Sequence, residues 1–361
     1  MQAERLLQAL TGRGHALFPG RASAGIGAAL TAWGLHDQWV VIPANVCYIV
    51  GWAVLASGNR PFLADVDPST GNLSAETLQH VHLDRVGALI ACHMYGRPAP
   101  MPEIAAWARE HNAYLIEDAA LALGAQVDGR PAGAWGDVSL FSFGSGKIVD
   151  LGNGGALLTD DAALSAEIGH ELDRLPEWSP RLEVLEDQWL QLYWALHQFE
   201  TANPKLPALY PALYKAFGEI VRYRLSNFPF GDLVDALESL RQNLAHRRAI
   251  AAIYRDSLAD MPGLRTLAEP PGLITWRYPL RVGQGRRDAL LRHLWSEGFH
   301  EVTRWYPSLR HMLSTLTLDP CFDSTPGADR LGDEIINLPV DAGIDSDTSR
   351  WLASTIKKYL Q

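Results

Sequence analysis

Short apolar runs alternate with longer amphipathic stretches from about residue 20 to residue 160. This alternation is typical of parallel strands joined by crossover helices. The apolar runs predict strands at residues 39–42, 62–64, 88–92, 114–117, 138–143 and 155–159. Helical spacing predicts helices at residues 22–33, 46–56, 75–80, 102–110 and 162–172. A doubly wound α/β sheet of this kind binds ligands at the carboxyl ends of its strands, so we expect functional residues directly after the strands.

A segment rich in tryptophan and proline interrupts this pattern at residues 171–222. Apolar residues in part of it recur at the spacing of an amphipathic helix. They are Leu185, Trp189, Leu192, Leu196 and Phe199. We interpret this stripe as a core or subunit contact rather than a membrane anchor, because a stripe of this kind in a globular chain usually packs against protein.

The chain of 361 residues is long enough for two domains. We predict that residues 1–235 form a large α/β domain, which includes the segment 171–222. Residues 236–361 are predicted to form a smaller α+β domain. Its expected elements include one long helix at 232–258 and further segments at 276–282, 286–296 and 347–359.

Charge and cysteine content narrow the classes of protein that remain. The chain has 31 basic and 41 acidic residues, and its net charge of −10 argues against broad nucleic-acid binding. The three cysteines, Cys47, Cys92 and Cys321, are far apart, so we expect neither a disulfide framework nor a cysteine metal site. No apolar run approaches the length that crosses a bilayer, and the first residues do not resemble a secretion leader. We therefore expect a cytoplasmic protein.

Two charged residues mark the predicted carboxyl edge of the sheet. Asp118 follows one strand and Lys147 lies in a glycine-flanked loop after another, so both are expected to face one crevice. A lysine becomes a nucleophile when burial and positive neighbours lower its pKa, and an aspartate can hold a cationic ring nitrogen. Pyridoxal phosphate enzymes need both functions. From these residues alone a structural alternative stays open, in which Asp118 caps a helix and Lys147 is solvated.

Two other phosphate-binding motifs do not fit this chain. The loop before Lys147 has Phe141 where a P-loop has its first glycine, and Ile148 where it has a hydroxyl residue. A dinucleotide fingerprint at residues 25–30 is incomplete, because Leu30 occupies the place of the third glycine.

Several segments, in the same order along the chain, resemble the DegT/StrS family of pyridoxal phosphate-dependent sugar aminotransferases. They are ADVDP at 64–68, HMYGRPAPM at 93–101, IEDAA at 116–120, FSF at 141–143 with Lys147 four residues on, GNGG at 152–155, WYP at 305–307 and LP at 338–339. The resemblance covers most of the chain except residues 171–222. It implies a fold-type-I aminotransferase, in which a large domain with a mixed or parallel sheet precedes a smaller C-terminal domain.

The resemblance also implies roles for single positions. Lys147 matches the lysine that binds pyridoxal 5′-phosphate as a Schiff base and moves a proton, and Asp118 matches the partner of the pyridine nitrogen. The implied phosphate contacts are Ala22, Ser23 and Ser142, with Asn227 reaching the other site of a homodimer. Ala22 and Ser23 begin a predicted helix, where free N–H groups favour a phosphate.

Further positions are predicted to contact the substrate or the cofactor ring. His93, Arg304 and Tyr306 are the predicted substrate contacts, although His93 also suits a structural role and Arg304 a surface position. Cys47 occupies the position of the family's stacking ring, so Tyr48 or His93 is the expected substitute. Leu121 replaces a glutamine that contacts the cofactor's phenolic oxygen in the family.

The implied reaction moves an amino group from an amino acid, usually glutamate or glutamine, to a keto-sugar linked to a nucleotide. One alternative is an aminotransferase for a non-nucleotide substrate in polysaccharide, lipid or secondary-metabolite synthesis. Another is a cofactor-binding regulatory protein without turnover. We expect residues 171–222 to border the crevice mouth, where Trp178, Trp189 or Trp194 would suit stacking on a sugar or a base.

Overall fold

A seven-stranded sheet forms the centre of the larger part of the chain. The structure, a computed structural model, describes residues 1–199, 206–283, 285–310, 312–313 and 324–361. The strands of this part are β1 (His15–Leu17), β2 (Trp39–Pro43), β3 (Arg60–Ala64), β4 (Ala88–Cys92), β5 (Tyr114–Asp118), β6 (Gln126–Val127), β7 (Arg130–Pro131), β8 (Val138–Ser142) and β9 (Gly155–Thr159). The sheet order is β1-β9-β8-β5-β4-β2-β3, and β6 pairs with β7 in a small separate sheet.

The direction of the strands agrees with the sequence-based expectation in all but one predicted strand. β2, β3, β4, β5 and β8 form parallel pairs, as predicted. β9 pairs antiparallel with β8, so the expectation of a parallel strand at 155–159 was wrong. Residues 143–154 join the two strands without a helix, and a parallel return needs a longer crossover connection.

Six helices accompany this sheet, five of them at positions that the sequence predicts and α1 where no helix was predicted. They are α1 (Gln2–Thr11), α2 (Ala22–Ala32), α3 (Tyr48–Ala56), α4 (Ala75–Leu78), α5 (Met101–Glu110) and α6 (Ala162–Asp173). The five predicted helices are confirmed, with ends that differ by one or two residues. α2 contacts α3, α6, β8 and β9, and its buried small residues allow this close approach.

The segment 171–222 contains α7 (Pro180–Phe199) and α8 (Tyr210–Phe217). The predicted apolar stripe of α7 packs against the main core at Trp189, which is fully buried with its ring centroid 4.4 Å from that of Trp52. Leu192, from the same stripe, is 39% exposed. The core contact is therefore confirmed for part of the stripe.

The predicted long helix at 232–258 is two helices, α9 (Phe230–Glu238) and α10 (Leu240–Leu258). They meet at Ser239, whose hydroxyl donates to the carbonyl oxygens of Asp235 and Ala236. A serine that satisfies carbonyls at a helix end competes with continuation of the helix, which explains the break. The predicted domain limit at 235/236 falls inside α9, and as a domain boundary it stays a prediction.

A second sheet follows α10, with β11 (Tyr278–Val282) between β10 (Leu264–Thr266) and β12 (Ile335–Leu338) in antiparallel pairs. α11 (Arg287–Ser296) and helices at Pro326–Glu334 and Ser346–Leu360 accompany it. Residues of this sheet, of α10, of α11 and of the helix Ser346–Leu360 form a second apolar core. Ala328 and Leu331 of the helix Pro326–Glu334 belong to the main core instead. No helix in the described ranges is long and apolar enough to span a bilayer. Those ranges also contain no group of three acidic, histidine or cysteine residues placed to bind a metal ion.

Candidate active site

A cavity of about 240 Å³ lies at the carboxyl edge of the large sheet. The ends of β5 and β8 and the first turns of α2 and α3 border it. The predicted site residues that line it are Ala22, Ser23, Cys47, Tyr48, Asp118, Ser142, Lys147 and Tyr306. We call Asp118, Ser142, Lys147 and the first turn of α2 the floor of this cavity. The location agrees with the rule that such sheets bind ligands beyond their strand ends.

Asp118 is the last residue of β5, and its carboxylate lines the cavity. Its Oδ1 accepts a hydrogen bond from the Ala120 N–H at 2.9 Å, and its Oδ2 accepts one from the Cys92 thiol at 3.6 Å. The residue is only 9% exposed. An ionised carboxylate is an acceptor only, so these contacts fix a group that suits a protonated ring nitrogen.

Glu117 precedes Asp118, and strand alternation turns its side chain to the opposite face of the sheet. Its carboxylate accepts hydrogen bonds from the backbone N–H groups of Gly133 and Trp135, both at 2.7 Å. Burial acts to raise the pKa of Glu117, but the bonds from His93 and these N–H groups outweigh it and hold the pKa below its ordinary value. Glu117 therefore anchors β5 and takes no part in the cavity.

His93 completes that buried cluster, which corrects the prediction that it contacts substrate or stacks on the cofactor. Its Nδ1 accepts from the Ala99 N–H at 2.9 Å, so its Nε2 carries the hydrogen and donates to Glu117 at 2.9 Å. The residue is 1% exposed and is not among the residues that line the cavity. This placement supports the structural alternative for this histidine.

Lys147 lies in the loop after β8, with its side chain in the cavity. Burial is the main cause that lowers its pKa below the ordinary value; Cys47 and Asp118 oppose the shift, and Arg21 adds to it. The loop is fixed by Asp150, whose carboxylate accepts from the Gly146 N–H at 2.7 Å. Gly146 has φ 76°, a left-handed conformation that favours glycine.

The first turn of α2 offers an anion site at the floor. Ala22 and Ser23 are its first two residues, and N–H groups in a first helical turn have no helical acceptor. Ser23 donates its hydroxyl hydrogen to the Val221 carbonyl at 2.9 Å, which leaves the oxygen as an acceptor. A Cβ on Gly155 would lie 2.9 Å from the Ala22 nitrogen. Glycine at this position therefore allows β9 to pack closely against the first turn of α2.

Arg21 caps this turn and also lines the cavity. Its Nη2 donates to Glu186 Oε1 at 2.5 Å, and Glu186 belongs to α7. Burial alone would lower the pKa of Arg21, but the charge and hydrogen bond of Glu186, together with Tyr223 and Tyr48, outweigh burial and raise the pKa above its ordinary value. The ion pair therefore ties α7 to the start of α2.

One face of α7 forms a side of the cavity. Its lining residues are Glu186, Leu190, Tyr193 and Trp194, which we call the α7 wall. The spacing of four, three and one residues places them along one helical face. This face lies one residue beyond the stripe that packs into the core at Trp189, so the two faces of α7 have different neighbours.

Aromatic rings continue the α7 wall on the side of the second sheet. Trp194 stacks on Trp305, with centroids 6.2 Å apart and an interplanar angle of 20°. Trp305 stacks in turn on Trp276 at 6.1 Å and on Tyr306 at 5.9 Å. All four rings line the cavity. Flat apolar surfaces of this size suit a sugar face or a nucleobase.

Cys47 is the N-cap of α3, and Tyr48 is the first residue of that helix. Burial is the main cause that raises the pKa of the Cys47 thiol. Tyr48 is 7% exposed and packs among Trp52, Trp189 and Tyr193. Both residues are lining residues, so with His93 excluded this pair is what the chain offers where the family has its stacking ring.

Besides His93, two predicted site residues are not part of this chain's cavity lining. Arg304 lies with its guanidinium 5.4 Å from the Trp194 ring centroid, and its Nη1 is 3.6 Å from Asp288 Oδ1. It therefore contacts the α7 wall through Trp194, and its role as a direct substrate contact stays a prediction. Asn227 is exposed and outside the lining, so it does not complete the cavity of its own chain.

Sequence reasoning missed several lining residues. Arg21, Tyr223 and Trp276 stand outside the motifs that the sequence analysis singled out. Trp305 belongs to the WYP motif at 305–307, but no role was predicted for it. The α7 wall had a signal, because residues 186, 190, 193 and 194 have helical spacing beside the apolar stripe. The sequence analysis did not distinguish this helical face from the neighbouring stripe that packs into the core.

Pyridoxal 5′-phosphate fits this floor through its phosphate, its ring nitrogen and its aldehyde. The first turn of α2 and the Ser142 hydroxyl suit its phosphate, Asp118 suits the ring nitrogen, and Lys147 offers an amine of lowered pKa to the aldehyde. These groups lie at the carboxyl edge of the large sheet, where a sheet of this topology binds its ligand. The fold and this floor place the chain among the fold-type-I aminotransferases.

The chain belongs to the DegT/DnrJ/EryC1/StrS aminotransferase family, whose model matches residues 1–357. One relative, UDP-N-acetyl-3-dehydro-alpha-D-glucosamine 3-aminotransferase of Acidithiobacillus ferrooxidans, is 33% identical over 323 residues, or 89% of this chain and 77% of that protein. GDP-perosamine synthase of Caulobacter vibrioides is 28% identical over 349 residues, or 94% of this chain and 84% of that protein.

Solved structures show the same fold. The aminotransferase TlmJ from Streptoalloteichus hindustanus matches with a TM-score of 0.77 and 25% identity, over 100% of this chain and 91% of that chain. DesI, solved in the presence of its TDP-sugar product, matches with a TM-score of 0.76 and 26% identity, over 99% and 84%. The chain is an aminotransferase, and its cofactor is pyridoxal 5′-phosphate.

Proposed function

We propose that this enzyme transfers an amino group from glutamate or glutamine to a keto-sugar linked to a nucleotide. The observation that carries the proposal is the shared cavity, in which the floor around Lys147 adjoins the aromatic side formed by Trp194 and Trp305. The names of the relatives support it. They refer to a UDP-linked keto-sugar and to GDP-perosamine, and DesI was solved with a TDP-sugar.

In this proposal Lys147 carries the proton transfers. Its lowered pKa keeps a larger fraction of Nζ neutral at a given pH than an exposed lysine would have, so Nζ can accept a proton from the substrate carbon. The bound cofactor supplies an electron sink for the broken C–H bond. Asp118 holds the proton on the ring nitrogen, because its fixed carboxylate favours the cationic form.

The remaining floor residues position the reactants. Ala22 and Ser23 are proposed to bind the phosphate through their N–H groups, together with the Ser142 hydroxyl. Leu121 is 6% exposed and apolar, so it offers no hydrogen bond to the phenolic oxygen. Cys47 and Tyr48 are proposed to shield the ring face that family members cover with an aromatic residue.

The acceptor is proposed to lie against the α7 wall, with a flat face on Trp194 and Trp305. Tyr306 is 8% exposed and lines the cavity, so it is placed between this aromatic side and the floor. The Glu186 carboxylate offers an acceptor for sugar hydroxyls beside its bond to Arg21. These contacts lie away from the floor and are proposed to select the acceptor rather than the donor.

We further propose that the active form is a homodimer in which Asn227 contributes to the partner's phosphate site. The exposed position of Asn227 outside its own cavity is what supports this. Mixing Lys147→Ala with Asn227→Ala subunits should regenerate some activity, because the mixed dimer has one site with both residues intact. If proven subunit exchange yields no activity, Asn227 does not belong to a shared site.

The cytoplasm is the proposed compartment. Cys47 and Cys92 are both free thiols, which suits a reducing environment.

Borohydride reduction of the holoenzyme tests the floor. Peptide mapping is expected to find the pyridoxyl group on Lys147, and a label on another lysine would contradict the assignment. The absorbance spectrum, followed while amino acids are added one by one, then identifies the donor that converts the cofactor to its amine form. A regulatory protein would keep its spectrum unchanged with every donor.

Nucleotide-linked keto-sugars with different bases then test the acceptor. Reoxidation of the amine form by at least one of them is expected. If only free keto-sugars or non-sugar ketones restore the starting spectrum, the nucleotide part of the proposal is wrong.

A further inference from the structure

A second cavity, of about 310 Å³, lies between α10, the start of β11 and the loop that follows β4. Its charged lining residues are Arg97, Arg248, Arg255, Arg277 and Glu269. Among the described residues it shares no lining side chain with the active-site cavity. Four arginines and one glutamate thus line one cavity in a chain whose net charge is −10.

Two of these arginines are buried. Arg97 is 3% exposed and Arg277 is 9% exposed. Arginine is rarely buried without a compensating group, because removal of its charge from water costs free energy. Burial lowers the pKa of Arg97 to about 10 and also lowers the pKa of Arg277, with Glu269 and Asp341 opposing the respective shifts. The protein therefore bears a cost for both charges.

The hydrogen-bond partners of the buried pair are neutral. Arg97 Nε donates to the Ala268 carbonyl at 2.8 Å, and Arg277 Nη1 donates to the Glu301 carbonyl at 2.7 Å. Among the described residues, neither guanidinium has a carboxylate oxygen within 4.0 Å. The bonds fix the direction of each guanidinium but supply no counter-charge. The Arg277 guanidinium also lies 5.6 Å and 5.7 Å from the ring centroids of Trp276 and Trp305, which favour a cation. Among the described residues, Arg97 therefore has the less compensated charge of the two.

The rim of the cavity is built from one face of α10. Arg248 and Arg255 are seven residues apart, which places them on the same side of the helix two turns apart. Ala251 lies between them, and its small side chain lines the cavity. Both arginines are exposed, and Arg255 has a carboxylate neighbour in Asp256 at 3.5 Å. The rim can therefore reach an anion without a change in the core.

We propose that this cavity binds a polyvalent oxyanion, either inorganic phosphate or pyrophosphate, or the diphosphate group of a nucleotide. Guanidinium groups bind phosphate oxygens in pairs of parallel hydrogen bonds, and several of them around one cavity favour a multiply charged anion over a monocarboxylate. Such a ligand would bridge α10, which packs in the core of the second sheet, and the loop after β4 of the large sheet. Binding therefore also stabilises the folded protein.

Calorimetric titration of the holoenzyme with inorganic pyrophosphate, at constant ionic strength, tests this site. A saturable binding event is expected in the unaltered protein. The double variant Arg248→Gln/Arg255→Gln should weaken it by about tenfold or more, because two of the four charges are lost. The matched control is Arg241→Gln, an exposed arginine of the same helix outside the cavity, which should bind as before.

Two results overturn the proposal: the absence of saturable binding, and an affinity that the double variant leaves unchanged. Arg97→Gln, at a buried position, is a second test. It should weaken pyrophosphate binding although Arg248 and Arg255 are intact. A parallel titration with UDP separates the sources. Binding of UDP that the double variant also weakens indicates a nucleotide, and binding of pyrophosphate alone indicates a free anion. The titration measures binding and needs no turnover, so its result does not depend on whether the proposed sugar substrate is correct.

Discussion

The floor and the α7 wall face one cavity but are built in different ways. Asp118 and Ser23 are held at strand and helix ends by short hydrogen bonds and are nearly buried. The wall stands on a single helix that exposes apolar side chains to solvent, with Val184 at 54% and Leu190 at 42%. Its connection to the floor is the ion pair between Glu186 and Arg21.

This difference indicates which part of the site is constrained by the reaction and which part can vary with the substrate. Residues at the ends of neighbouring strands are fixed relative to each other by the sheet, as a cofactor requires. A helix in an inserted segment can vary without a change in the sheet, which suits selection of an acceptor. Four substitutions test this division, and the one expected to be most damaging comes first.

Asp118→Asn should leave the fold intact and slow both half-reactions by about a hundredfold or more, because an amide does not hold the ring nitrogen in its cationic form. Single-turnover absorbance measurements with the donor and with the acceptor provide the test. Circular dichroism serves as the control for folding. Near-normal turnover would show that Asp118 is not the ring partner.

Trp189→Ala should lower the free energy of unfolding by about 3–5 kcal/mol, because a fully buried indole beside Trp52 and Tyr48 leaves a large cavity. Urea denaturation measures the change. Trp178→Ala, a partly exposed tryptophan of the same segment, is the matched control and should cost less. Equal losses in both variants would contradict the assignment of Trp189 to the core.

Trp194→Ala should raise the KM for the acceptor by about tenfold, since loss of a stacked ring removes about 0.5–1.5 kcal/mol of specific contact in addition to buried area. The donor half-reaction should stay nearly unchanged. Trp194→Phe should restore part of the acceptor affinity. Equal damage to both half-reactions would place Trp194 in the structural part of the wall instead.

Arg21→Gln should have the smallest effect, on the pH at which apoenzyme takes up pyridoxal 5′-phosphate at Lys147. Arg21 is one of the groups that lower the pKa of Lys147, so its loss raises that pKa. A higher pKa leaves less neutral amine at a given pH, and the uptake profile should move to higher pH. Arg21→Lys keeps the charge and should move it less. A shift to lower pH in Arg21→Gln would contradict this role.

Much of the large sheet could be predicted from the sequence, because its strands are short apolar runs separated by helices. The exceptions were β1, for which no strand was predicted, and β9, for which the strand was predicted but its antiparallel direction was not. The prediction of one helix at 232–258 failed because no glycine or proline marks the break at Ser239. At the site, the motifs around Asp118 and Lys147 predicted residues that line the cavity. They did not show that His93 lies outside the lining.

The sequence by itself determined that Asp118 and Lys147 share one edge of the molecule. Both follow strand-forming runs, and the carboxyl ends of parallel strands meet at the same edge. Tertiary structure decided what surrounds them. Arg21 meets Glu186 across 165 residues of chain, and Trp194 stacks on Trp305, which belongs to a segment beyond α10 and β11. Contacts between such distant segments depend on how the elements pack, and no local pattern of residues encodes them.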